Sequence, residues 1–65
     1  METLRNEQLF PLERDAIKKA LNQGVPMAQT SHHRVLILSR IGDTYKIALT
    51  NLKYGHVQKI MYRAH

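Results

Sequence analysis

A Gly42-Asp43 pair stands between two apolar runs, Val35-Leu36-Ile37-Leu38 and Ile47-Ala48-Leu49. No other feature of the chain narrows its fold so far. Glycine in the first central position suits a two-residue turn whose twist matches that of the strands it joins. Residues 34–50 are therefore predicted to form a β-hairpin. Folding on that turn sets Arg40 opposite Tyr45, Leu38 opposite Ile47 and Leu36 opposite Leu49, all on one strongly apolar face. Ser39 opposite Lys46, Ile37 opposite Ala48 and Val35 opposite Thr50 make the other face, which is mixed.

A helix is predicted upstream, over residues 11–23. Pro11 suits the first helical position, where its missing N–H costs nothing. Leu12, Ala16, Ile17, Ala20 and Leu21 recur near helical spacing and form one apolar stripe, the natural cover for the apolar face of the hairpin. Glu13 and Asp15 lie in the first turn and Lys18 and Lys19 nearer the last, as the helix dipole favours. Asp15 and Lys19 are also placed to pair at i, i+4. Gly24 ends the helix and Pro26 blocks its continuation. Before it, Leu4, Gln8 and Leu9 suit a short turn packed back on the helix. After it, residues 24–33 read as a linker, with the polar stretch Gln29-Thr30-Ser31-His32-His33.

Residues 56–64 fit two patterns. As a helix, Val57, Ile60, Met61 and Ala64 make a stripe. As a strand, Gln58, Ile60 and Tyr62 face one way, and Val57, Lys59, Met61 and Arg63 the other. The short length, the Val, Ile and Tyr content and a plausible turn over residues 51–55 favour the strand. The expected fold class is thus α+β: a single domain with one N-terminal helix packed on a small antiparallel sheet of two or three strands.

A 65-residue chain buries a modest core, and this one has no cysteine for a disulfide or a zinc thiolate. Self-association would supply part of the missing stability, and a homodimer is the commonest form. The start of the chain lacks the apolar stretch of a signal peptide, and the longest apolar run is far too short to span a membrane. A soluble, cytoplasmic protein is expected.

Charge divides the chain. Residues 1–31 carry four basic and four acidic side chains, whereas residues 32–65 carry six basic ones and only Asp43. The whole net charge of +5 lies in the second half, with all four histidines. Such asymmetry suits a polyanionic partner. Lys46, Lys59 and Arg63 are expected on the sheet face away from the helix, with Arg34, Arg40 and Lys53 at its rims, where they would neutralise phosphates. Tyr45, Tyr54 and Tyr62 lie among these charges, and rings beside cations suit unstacked bases. The candidate nucleic-acid-binding residues are Arg34, Arg40, Tyr45, Lys46, Lys53, Tyr54, His56, Lys59 and Arg63. Alternatively the basic half docks an acidic protein, as a small inhibitor or adaptor does.

Other chemistry has thin support. His32 and His33 are adjacent and point apart in extended chain, so no metal site is expected. No glycine-rich phosphate loop is present, and no cofactor is implied. No catalytic residue is assigned. A metal-free ribonuclease would have to draw on His56 with Lys59, Tyr62 and Arg63.

The segment Leu36-Ile37-Leu38-Ser39-Arg40-Ile41-Gly42-Asp43-Thr44-Tyr45-Lys46-Ile47 resembles the opening of the carbon storage regulator family of translational repressors, L-I-L-[ST]-R-R-x-G-E-[ST]-x-x-I. The tail from Gly55 to His65 is loosely similar to a later stretch of that family. The resemblance implies a small intertwined β dimer that binds RNA loops through strand-edge arginines, here Arg40 and less directly Arg14. The chain departs from the pattern in having one arginine where the family has two. Its acidic-basic element Leu12-Glu13-Arg14-Asp15 also lies upstream of the hairpin rather than after it. Gly55-His56 and Ile60-Met61-Tyr62-Arg63 are more faintly similar to the tail of the RelE/ParE ribonuclease toxins.

Overall fold

The computed structural model describes residues 3–4 and 9–63, with the side chains of residues 9–63. The elements run β1 (Thr3–Leu4), α1 (Pro11–Gln23), β2 (Met27–Gln29), β3 (His33–Ile41), β4 (Thr44–Asn51) and β5 (Val57–Arg63). The sheet order is β1-β5-β4-β3-β2. The pairs β2–β3, β3–β4 and β4–β5 are antiparallel, while the two-residue β1 adds to β5 in parallel. The domain is therefore α+β, with four antiparallel strands where two or three were expected. Among the described residues no helix is long and apolar enough to cross a membrane.

Helix α1 has the predicted bounds, and its ends show why. Pro11 occupies the first turn. Glu13 Oε1 accepts the Phe10 N–H at 3.0 Å, and Arg14 N–H donates to the Phe10 carbonyl at 2.9 Å. The first satisfies a backbone donor that the helix itself leaves without a partner. Gly24 closes the other end in the left-handed region, φ 65° and ψ 26°. Ala16, Ile17 and Ala20 are buried against the sheet. Lys19 does not pair with Asp15. Its Nζ donates to the Gln29 carbonyl at 3.0 Å and ties the helix to β2.

The segment read as a linker holds a second hairpin. Met27 pairs with Leu36, Ala28 with Val35 and Gln29 with Arg34. Thr30 builds the turn: its N–H donates to the His33 carbonyl at 2.8 Å, and its Oγ1 accepts from the His32 and His33 amides at 3.3 and 3.1 Å. Polar residues that suggest loop are here the hydrogen-bonding kit of a tight turn.

The central hairpin turns at Gly42-Asp43, and Gly42 has φ 61°, the positive value its position demands. Arg40 faces Tyr45 and Ser39 faces Lys46, as predicted. Beyond them the register shifts by one at Leu38, a β-bulge, so that Ile37 faces Ile47, Leu36 faces Ala48 and Val35 faces Leu49. One extra residue exchanges the faces of everything upstream. Val35 and Ile37 point to the helix, and the expected Leu36 and Leu38 point away, each more than 40% exposed. Residues 35–38 are continuously apolar, so alternation alone did not choose between the two settings. Pairing of the small Ala28 with Val35 puts both under the helix, and both are buried.

Residues 57–63 form a strand, with Ile60 and Tyr62 buried and Lys59 and Arg63 exposed. Ala64 and His65 lie outside the described residues. The core joins Ala16, Ile17 and Ala20 to Val35, Ile47, Leu49, Ile60 and Tyr62, with Leu9 and Ala28 at its borders. Leu9 thus packs inward as expected. Leu4 belongs to β1 rather than to a turn, and Gln8 lies outside the described residues.

Candidate nucleic-acid interface

The sheet has two unlike faces. Toward the helix point Val35, Ile37, Tyr45, Ile47, Leu49, Ile60 and Tyr62, all in or against the core. Strand alternation puts Arg34, Lys46, Lys59 and Arg63 on the other face. The ladder gives their order: Arg34 opposite Thr50, Ala48 opposite Lys59, Lys46 opposite Met61 and Thr44 opposite Arg63. Arg34, Lys59 and Arg63 are exposed and Lys46 is half-buried. Among the described residues the three carboxylates are Glu13 and Asp15 on α1 and Asp43 in the hairpin turn, so none stands between these cations.

Aliphatic side chains share that face. Met27, Leu36, Leu38 and Val57 are 48, 41, 43 and 61% exposed. The bulge at Leu38 is what places Leu36 there, and sequence alternation without it missed this. The tyrosines do not join them. Tyr62 is 1% exposed and part of the core, and Tyr45 is half-buried on the helix side.

The remaining candidates fall into two other groups. Arg40 and Tyr45 sit on the helix side beyond Gly24, where the Arg40 guanidinium lies 5.6 Å from the Tyr45 ring centroid and its Nε donates to the Gly42 carbonyl at 2.7 Å. They flank a cleft of about 400 Å³ floored by Ala20, Leu21, Val25 and Ile37. Lys53, Tyr54 and His56 stand on the β4–β5 loop. There the Asn51 Oδ1 accepts from the Lys53 and Tyr54 amides at 2.9 and 3.0 Å. Lys53 Nζ lies 5.3 Å from the Tyr54 ring, which is 6.4 Å from that of His56. The nine predicted residues are therefore three clusters rather than one surface.

The set considered for a ribonuclease is not assembled. Tyr62 is sealed in the core, Lys59 and Arg63 lie on the opposite face of β5, and His56 belongs to the loop. Of the adjacent histidines, His32 is exposed, with Nδ1 3.0 Å from Ser31 Oγ, and His33 is buried. Among the described residues no three His, Asp or Glu side chains are grouped to hold a metal ion.

No family model, curated protein or solved structure matches this chain.

Proposed function

We propose that the protein is a small cytoplasmic nucleic-acid-binding regulator that holds single-stranded RNA along the open face of its sheet and acts by occluding it. The observation that carries this reading is the clustering of Arg34, Lys46, Lys59 and Arg63 on one face with no intervening carboxylate among the described residues. Phosphates supply what such a face lacks, and release of their counterions drives binding. The hairpin's resemblance to the carbon storage regulators points the same way. A homodimer belongs to the proposal, and Phe10 and Leu12, 76 and 50% exposed at the start of α1, are apolar surface it would cover.

Salt tests it. Four phosphate contacts predict a slope of about −3 for log affinity against log salt with single-stranded RNA, which is about a 50-fold loss between ~50 and ~200 mM. Alanine at Lys59 or Arg63 lowers the slope by about 0.7 each. A flat salt response overturns the reading.

A second reading has its own observation. Aliphatic side chains, rather than rings, interleave with the cations, and that composition suits an acidic protein partner with apolar anchors. Co-purification of one acidic protein that survives nuclease treatment favours it.

A further inference from the structure

The β4–β5 end of the sheet has a feature that charge does not explain. A cleft of about 150 Å³ opens there, lined by Glu13, His33, Leu49, Asn51, His56 and Gln58. It is small and mostly polar, unlike the apolar cleft at the other end of the helix. His33 is 7% exposed, and its Nδ1 is buried with no hydrogen-bond partner among the described residues. Buried polar atoms are nearly always paired, so an orphan on a ring that lines a cleft marks a place for a missing partner.

The inventory of the walls limits what that partner is. Asn51 Oδ1 is taken by two loop amides, which leaves its NH₂ as a donor. Glu13 Oε1 is taken by Phe10, which leaves Oε2 as an acceptor. Gln58 offers both. No hydrogen bond among the described residues fixes the His33 tautomer, so its ring donates or accepts as a ligand requires. Leu49 supplies an apolar surface, and His56, beside Tyr54, supplies a ring at the mouth. The space equals about five water molecules. A ligand that is small and flat, and that carries donors and acceptors around an apolar ring, matches these walls.

We propose that this cleft receives one unstacked nucleobase, with a preference for bases that bear an exocyclic amino group. The amino group donates to Glu13, and a ring nitrogen or carbonyl accepts from Asn51 or His33. Uracil has no amino group; its base donor, the N3–H, is flanked by two carbonyls that bring their oxygens against the carboxylate, so uracil binds worst. The assignment rests on the reading of the open face as an RNA track and adds base selectivity to it. The two sites adjoin, because Gln58 and Lys59 are consecutive residues on opposite faces of β5. A chain held at Lys59 that turns over the end of the sheet arrives at the cleft.

Free nucleosides test the cleft apart from the track, since they carry no phosphate. The full chain is titrated with adenosine, cytidine, guanosine and uridine, and the His33 ring and Leu49 methyl resonances are followed by NMR. The expected result is saturable shifts at both residues with the three amino-bearing nucleosides, and about tenfold weaker binding of uridine. Glu13→Gln keeps the acceptor for Phe10 yet narrows the gap between cytidine and uridine. Gln58→Leu, at an exposed position, weakens all four while amide spectra confirm the fold. If no nucleoside moves His33 or Leu49, the cleft holds water only and the inference is overturned, even if RNA binds with the predicted salt slope. If uridine binds as well as cytidine, the amino-group assignment is wrong. If nucleosides bind but RNA does not, the track fails and the cleft stands.

Discussion

Val35 and Leu36 are neighbours of nearly equal hydrophobicity with opposite fates. Val35 is fully buried beneath the helix, and Leu36 is 41% exposed on the open face. The bulge two residues later makes the difference, and the energetics follow. Val35→Ala removes two buried carbons and leaves a cavity, which costs about 2 kcal/mol, whereas Leu36→Ala costs about 0.5 kcal/mol or less. Urea midpoints measure both, and the regular register would reverse their order. The residue scale is also where the site was least legible. Composition placed the cations in the second half, and alternation placed Lys46, Lys59 and Arg63 together. Tyr45 and Tyr62 looked like stacking rings because sequence proximity to charge does not report which face a ring occupies. His33 gave no signal at all. Its burial depends on a turn that reads as polar loop.

Helix α1 was legible in full because each end carries its own local signal, Pro11 at the start and Gly24 at the close. Strand β5 was legible as an alternative, and β2 was not legible. Three residues hold too little periodicity to register, and β2 exists because Thr30 turns the chain back on β3. Thr30→Val keeps the shape and removes the oxygen that accepts from two amides. The expected cost is about 1 kcal/mol, with faster hydrogen exchange at His32 and His33 and little change in β4 and β5. Equal acceleration across all strands would mean that β2 and the rest of the sheet open as one unit.

For the whole molecule, division of labour is the main result. The helix carries both signs of charge and fills the core, while the sheet sets Arg34, Lys46, Lys59 and Arg63 on the side the helix leaves open and keeps Arg40 on the helix side. Neither layer is self-sufficient. The helix supplies Ala16, Ile17 and Ala20, which cover Val35, Ile47 and Ile60. A peptide of residues 24–65 is therefore expected to show no cooperative thermal transition by circular dichroism, and a sigmoidal melt would show that the sheet folds unaided. The bulge at Leu38 has a last consequence, best put in the language of reading frames. A strand is read in steps of two, and deletion of one residue normally puts every side chain upstream on the wrong face. Leu38 is an extra letter in an otherwise regular line: with it removed, Ile37 stays opposite Ile47 and Ser39 stays opposite Lys46 in an unbroken ladder. The bulge is the one place in β3 where the chain can lose a letter and keep its sense.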